Sequence, residues 1–281
     1  MQVIRNIKII RDCVKYAKSK DKTIGFVPTM GALHQGHLSL IKKAKKDCDI
    51  VVISIFVNPL QFESKEDFKK YPRNFAADKD ICQKIGVDFL FVPQTEKLYP
   101  LGYCSYVNVD NLDKKLCGAF RPGHFRGVAT IVHKLFNIVQ PDIAYFGQKD
   151  FQQGVIIKRM IKDLNISVKA KILPTVREKD GLAISSRNKY LTKQQKKEAL
   201  ILFQSLQLAR KMIKGGERDA ARIISQMKKL IKKVPEVKID YVSIVDINSL
   251  ESISLINKRV LVALAVWIEK TRLIDNSIIS P

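Results

Sequence analysis

Two imidazoles three residues apart, His34 and His37, flank Gly36 in the stretch Pro28-Thr29-Met30-Gly31-Ala32-Leu33-His34-Gln35-Gly36-His37. Such a stretch suits phosphate chemistry when it opens a helix. The glycine lets backbone approach closely, the helix end offers unpaired N–H groups, and imidazoles donate to phosphate oxygens. The same cluster can stabilise charge during displacement at phosphorus. By spacing it also fits a pair of surface histidines, or a metal pair at i and i+3.

A second cluster is Phe146-Gly147-Gln148-Lys149-Asp150-Phe151-Gln152-Gln153. Lys149 can meet a polyphosphate as a compact charge, Asp150 can accept from a ribose hydroxyl or approach a metal ion, and Gln153 offers donor and acceptor to a polar substrate. A plain helix start, with Asp150 near the positive dipole end and Lys149 solvated, fits too. In Ile184-Ser185-Ser186-Arg187-Asn188, preceded by Val176-Arg177-Glu178-Lys179-Asp180-Gly181, two hydroxyls beside a guanidinium can clamp a triphosphate or form a polar loop. Asn58-Pro59-Leu60-Gln61-Phe62 is turn chemistry that also presents the Gln61 amide. Arg121-Pro122-Gly123-His124-Phe125-Arg126 reads as a basic loop, either lid or connector.

These clusters need elements to hold them, and the first two thirds of the chain supply the pattern of a parallel sheet covered by helices on both faces. Strands are expected at Thr23 to Val27, Asp49 to Val57, Asp88 to Val92 and Asp142 to Phe146, the second being almost wholly apolar and β-branched. Helices are expected from about His37 to Lys46, from Asn74 to Ile85 with Gly86 as the stop, and from Gly127 to Val139. The first two clusters follow strands directly, which is where an open α/β sheet binds ligands. After about residue 175 the pattern changes. Thr192 and Gln195 form a capping box for a helix to Ile213, a second helix runs from Ala220 to Val234, and strand-like runs follow at Val237 to Val245 and Val260 to Ile268. The fold class is α/β, a Rossmann-like doubly wound parallel sheet with a second, smaller α+β domain.

The chain has 281 residues and a formal net charge of +23, the balance of a nucleic-acid binder. Between residues 189 and 234 stand 13 Lys or Arg against 3 acidic residues, interleaved with apolar residues at helical spacing. A solvated helix face accounts for them, and no aromatic-interleaved RNA signature accompanies the charge, so neither nucleic acid nor membrane is an expected partner. The five cysteines are odd in number and form no CxxC pair, which argues against a disulfide framework or structural zinc. Charges interrupt the apolar residues of the first twenty positions, so no secretory signal or membrane span is read there, and a cytoplasmic protein is expected.

PTMGALHQGH, NPLQF, YPRN, RPGHF, FGQKDFQQ and DGLAISSRN, in this order and spacing, resemble the pantothenate synthetase family across nearly the whole chain. HxGH with a later serine-rich basic loop is also similar to the wider HxGH nucleotidyltransferase superfamily, to which the class I aminoacyl-tRNA synthetases belong. The resemblance implies a ligase that uses ATP and Mg2+ to convert pantoate to pantoyl adenylate and then joins it to β-alanine, releasing AMP. It implies ATP contacts at Met30, Gly31, Ala32, Leu33, His34, Gln35, Gly36 and His37, at Gly147, Gln148, Lys149 and Asp150, and at Val176, Ile184, Ser185, Ser186 and Arg187. Gln61 and Gln153 would hold pantoate, and Gln61 would lie near β-alanine. The catalytic set would be His37, His34, Lys149 and Arg187, with no nucleophile. Residues 1–175 would form the nucleotide- and pantoate-binding domain and residues 176–281 the smaller one with the ISSRN loop, in a homodimer through the larger domain. The metal ligands stay open, Asp78 and Asp150 being candidates. Ile184, usually methionine in the family, and Gln148, often glutamate, are departures. A nucleotidyltransferase acting on a phosphorylated acceptor is the competing enzyme reading, and it would want cations where Gln61 and Gln153 are neutral.

Overall fold

The computed structural model describes residues 1–62 and 65–281, the side chains of 65–67 excepted. The chain runs β1 (Gln2–Ile4), α1 (Ile7–Lys18), β2 (Ile24–Thr29), α2 (Gln35–Asp47), β3 (Ile50–Ile55), α3 (Lys65–Lys70), α4 (Phe75–Ile85), β4 (Phe89–Phe91), α5 (Thr95–Leu98) and α6 (His124–Val139). It continues through β5 (Ile143–Gly147), α7 (Phe151–Asp163), β6 (Lys169–Leu173), α8 (Lys193–Lys214), α9 (Ala220–Ile231), β7 (Val237–Asp246), β8 (Val260–Ile268) and β9 (Thr271–Ile279), with short 3-10 turns between.

Six strands make one parallel sheet in the order β1-β4-β3-β2-β5-β6. Successive side chains of a strand face opposite sides, and two cores divide accordingly. Phe26, Val52, Phe91, Ala144 and Phe146 join Ile10 and Val14 of α1, Val128 and Val132 of α6, and Ile156 and Ile157 of α7. Val27, Val51, Ile53, Leu90 and Tyr145 join Leu40, Ile41 and Ala44 of α2 and Cys82 of α4. Apolar cover on both faces is why these strands lack polar alternation.

The second unit pairs β7, β8 and β9 as an antiparallel sheet, backed by α8 and α9 through Ala199, Leu202, Leu206, Ile223 and Met227. The basic segment is the outer side of these helices: Lys228, Lys229, Lys232 and Lys233 are exposed while Ile223, Met227 and Ile231 are buried. Among the described residues no helix is long and apolar enough to cross a membrane.

Local signals act as their chemistry requires. Thr192 Oγ1 accepts from Gln195 N–H at 3.2 Å, and Gln195 Oε1 accepts from Thr192 N–H at 2.8 Å, closing the capping box. Asn74 caps α4, and Gly86 ends it at φ 78°. The structure also corrects several boundaries. β2 continues through Pro28 and Thr29, so the first loop starts at Met30. α2 begins at Gln35, two residues early, because the His34 side chain is its cap. α6 begins at His124, so half of the 121–126 stretch is helix and the rest a turn that follows the 3-10 segment Leu116–Phe120. α9 stops at Ile231, short of Val234. β1, α1, β6 and β9 have no counterpart among the elements expected from the sequence, while α7 takes up the helix start offered at Asp150.

Candidate active site

The sheet order changes direction at β2, whose neighbours β3 and β5 come from opposite halves of the chain, and ligand clefts form at such points. A cleft of about 310 Å3 opens there between the sheet edge and the β7–β9 unit. Its walls carry Met30, His34, Gly36 and His37 after β2, Gln61 after β3, Gly147 at the end of β5 with Lys149, Asp150 and Gln153 after it, and Val176, Ile184, Ser185, Ser186 and Arg187 beyond β6. Four segments far apart in sequence therefore converge. Gly31, Ala32, Leu33, Gln35 and Gln148 are not wall residues. Ala32 and Leu33 are buried in the turn beneath, Gln35 is exposed, and Gln148 is directed toward Asn276.

The His34–His37 turn fixes the tautomer of both rings. Gly36 N–H donates to His34 Nδ1 at 3.1 Å, and His34 N–H donates to His37 Nδ1 at 3.2 Å. A nitrogen that accepts carries no proton, so in each neutral ring Nε2 holds the hydrogen. Burial, then Lys149, lowers the His34 pKa to about 4, and burial, then His34, lowers that of His37 to about 3. Both rings are thus neutral Nε2–H donors at physiological pH, with their lone pairs already engaged. They are built to stabilise an anion, and they are poor bases.

Asp78 shapes the turn from below. Its carboxylate, 3% exposed, accepts Ala32 N–H at 2.9 Å and Leu33 N–H at 2.8 Å. These bonds hold Gly31 and Ala32 at φ 79° and 51°, a left-handed path that strains the alanine. Both Asp78 oxygens are engaged by backbone, so its candidacy as a metal ligand gives way to a structural role.

The Asn58–Gln61 turn is pinned on every side. Asn58, 1% exposed, donates to Gln61 Oε1 at 3.1 Å and to Gly127 O at 3.0 Å, and accepts from Tyr99 Oη at 2.8 Å. Gln61 Nε2 donates to Met30 Sδ at 3.0 Å. Its carbonyl accepts from His124 Nδ1–H at 2.8 Å and Arg121 at 3.2 Å. His124 is therefore the opposite tautomer to His34 and His37, and burial, then Arg121, lowers its pKa to about 3. Arg121 and His124 join the site through the RPGHF stretch, which is neither a bare lid nor a bare connector.

At the β5 edge a 3-10 turn, Gln148–Asp150, leads into α7. Lys149 Nζ meets Asp150 Oδ1 at 3.0 Å. Burial works against ionisation of Asp150, but Lys149 and Arg187 outweigh it and hold the carboxyl below its ordinary range. Gln152, beside the candidate Gln153, is buried and instead ties down the 112–117 stretch through Cys117 N–H, Leu112 O and Lys115 O. Across the cleft Ser185 Oγ caps the 3-10 turn that carries Arg187, whose guanidinium donates to Arg272 O at 3.2 Å. Ser186 bonds to Tyr71, whose hydroxyl burial pushes up in pKa. Tyr71 belongs to the YPRN motif.

Strand β9 supplies contacts that the sequence reading missed. Asp275 grips Arg177 with both oxygens at 2.6 and 2.9 Å, and Asn276 Nδ2 donates to the Gln148 and Lys149 carbonyls, each at 2.9 Å. Among the described residues no three His, Cys, Asp or Glu cluster as a metal cage. Two carboxylates line the cleft among the described residues, Asp150 and Asp275, and both Asp275 oxygens are taken by Arg177, which leaves Asp150 and fits an ion held mainly by phosphates and water, as magnesium commonly is.

A family model described as pantoate-beta-alanine ligase matches residues 2–278. A pantothenate synthetase of Moorella thermoacetica is 53% identical over 279 residues, covering 99% of each chain. One of Thermotoga neapolitana is 50% identical, covering 99% of this chain and 100% of its own. The crystal structure of pantothenate synthetase from Thermus thermophilus superposes with a TM-score of 0.95 at 40% identity over all of both chains. That of pantoate-beta-alanine ligase from Francisella tularensis, complexed with beta-gamma ATP and beta-alanine, gives 0.79 at 36% identity, covering 99% of this chain and 97% of that one.

Proposed function

This chain belongs to the pantoate-β-alanine ligase family, and from that premise we propose how its cleft condenses pantoate with β-alanine, converting ATP to AMP and pyrophosphate. The enzyme is an AMP-forming ligase that makes a C–N bond. A carboxylate is a poor acyl donor until its oxygen belongs to a good leaving group. In the first half-reaction a pantoate carboxylate oxygen attacks the α-phosphorus, the bond to the β-phosphate oxygen breaks, and pyrophosphate leaves. In the second, the β-alanine amine attacks the acyl carbon, AMP departs and the amine loses a proton.

Residues divide between these steps by their chemistry. His34 and His37 donate Nε2–H to phosphate oxygens, with Lys149 and Arg187 beside the departing pyrophosphate. Met30, Gly36, Gly147, Val176, Ile184, Ser185 and Ser186 line the nucleotide, Gly31 to Leu33 hold the turn, and Gln35, Gln148 and Asp150 complete it. Gln61 and Gln153 hold pantoate, and Gln61 also receives β-alanine. Catalysis rests on positioning and fixed dipoles, with no covalent enzyme intermediate. Asp150 is the residue to approach Mg2+, which when bound would neutralise triphosphate charge.

One observation carries the reading: two neutral imidazoles, each locked as an Nε2–H donor by a backbone N–H, share a cleft with Lys149 and Arg187. Pantoate-dependent pyrophosphate release from magnesium ATP, followed by β-alanine-dependent AMP formation, tests it. Folded protein that does neither would overturn the substrate assignment. A domain division between residues 175 and 176 fits the end of β6 at Leu173. Family resemblance supports a homodimer through the larger domain and a cytoplasmic location, and light scattering decides the first.

A further inference from the structure

Lys149 stands on a 3-10 turn of three residues, and Asp150, at the cap position of α7, makes no side-chain capping bond there. A short turn with little internal bonding takes its orientation from outside. The outside partner is Asn276 of β9, 4% exposed and 127 residues later in the chain (276 − 149). Both its amide hydrogens are used, one on Gln148 O and one on Lys149 O at 2.9 Å each, while Oδ1 receives Gln148 Nε2 at 3.4 Å. Its own N–H is held by Asp275 Oδ1 at 2.8 Å, and β9 is paired to β8 along its whole length, so the amide projects from a rigid strand.

We propose that Asn276 is a positioning residue for adenylate formation, setting the backbone from which Lys149 reaches the departing pyrophosphate. This rests on the reading of Lys149 as a phosphate contact. A buried amide bonded to two successive carbonyls fixes the turn's rotation as well as its place. Without these donors the two carbonyls lose their partners and the turn moves to find others. The lysine base then shifts, while the Asn58–Gln61 turn, held from α6, stays where it is. The second half-reaction has no pyrophosphate to stabilise and is spared.

The test uses Asn276→Leu, of similar size without donors, and Asn276→Asp, which sets a carboxylate against both carbonyls, with Lys149→Ala as reference. Each is assayed for pantoate-dependent pyrophosphate release and, when supplied with pantoyl adenylate, for β-alanine-dependent AMP formation. The expected result is a first half-reaction slowed about 10- to 100-fold in kcat, with AMP formation within about threefold of the parent. The double variant Lys149→Ala, Asn276→Leu is expected to be no slower than Lys149→Ala alone, since both act through one group. Equal losses in both half-reactions, or losses that multiply in the double variant, would overturn the proposal, as would normal pyrophosphate release by either Asn276 variant while Lys149→Ala is impaired. Normal release by Lys149→Ala would instead overturn the reading of Lys149 itself.

Discussion

Gly127 offers a test of how closely the acceptor turn must be placed. It is buried on α6 where the helix crosses the Asn58–Gln61 turn, and a methyl there would lie 2.5 Å from the Leu60 carbonyl carbon and 2.8 Å from the Gln61 nitrogen. The Leu60 carbonyl oxygen lies closer still, and ordinary contact begins at 3.4 Å, so the turn must retreat by at least about 0.9 Å (3.4 − 2.5) or the helix must. Alanine is worth about 1 kcal/mol over glycine inside a helix, which favours a moved turn over a broken helix. Misplacement of a reacting group by about 1 Å costs on the order of 10²-fold in rate. Gly127→Ala is therefore expected to lower kcat/KM for pantoate about 30- to 100-fold. The KM for ATP should stay within about threefold, because His37 and Lys149 stand on other segments. Pyrophosphate release at varied pantoate, with a thermal melt to confirm folding, measures both. A folded variant with near-parental kcat/KM for pantoate would refute the claim that this crossing sets the turn.

The Nε2–H tautomer of His37 sets an order between two substitutions. Glutamine keeps a donor near the Nε2 position and asparagine keeps an acceptor near Nδ1, so His37→Gln should exceed His37→Asn, the latter losing about 10²- to 10³-fold in kcat. The reverse order would show that the backbone bond matters more than the phosphate donor. Acid should also weaken the fold. His34, His37 and His124 titrate at about 4, 3 and 3 against an ordinary 6.5, so the unfolded chain binds protons that the native one refuses. Stability is then full above pH 6.5 and falls from there toward pH 4, and a melting temperature unchanged between pH 7.5 and 5 would contradict this. Asp78→Asn sets an N–H2 against a backbone N–H, costing about 1–3 kcal/mol and roughly 3–10 °C in Tm. Its magnesium requirement should be unaltered. A large rise in that requirement would place the carboxylate on the ion.

Elements with one dominant signal were legible in the sequence. The run VLVALAVWI forms β8 at Val260–Ile268, as expected of a strand buried on both faces, and the Asn74, Thr192 and Gly86 boundaries follow from single side chains or a left-handed backbone. The HxGH turn was legible because its chemistry is local, although its own histidine capping box moved the helix start to Gln35. β9 was missed because TRLIDNSII looks like a polar connector: Arg272, Asp275 and Asn276 are all buried, and each is satisfied by a partner distant in sequence. Asp78 hid in the same way, since an acidic residue in the first turn of a helix is ordinary and its hold on Ala32 and Leu33 spans about 45 residues. His124 reads as a loop histidine until α6 brings it back to the Gln61 carbonyl, 63 residues upstream. What local pattern cannot show is a polar group whose partner arrives only with the tertiary fold.

The hold of β9 on the Lys149 turn has a consequence for the order in which the enzyme is made. Translation reaches Asn276 127 residues after Lys149, which at about 5–20 residues per second is a delay of roughly 6–25 s. All six strands of the parallel sheet have been synthesised by residue 173, so its core can close during that interval. A growing chain can therefore possess a nucleotide fold before it possesses a finished phosphate site. The same asymmetry applies to the mature enzyme, where β9 is an edge strand, paired among the described residues only to β8. Fraying of those nine residues would silence ATP chemistry while the larger sheet stays folded, so a protein intact by bulk spectroscopy can still be inactive.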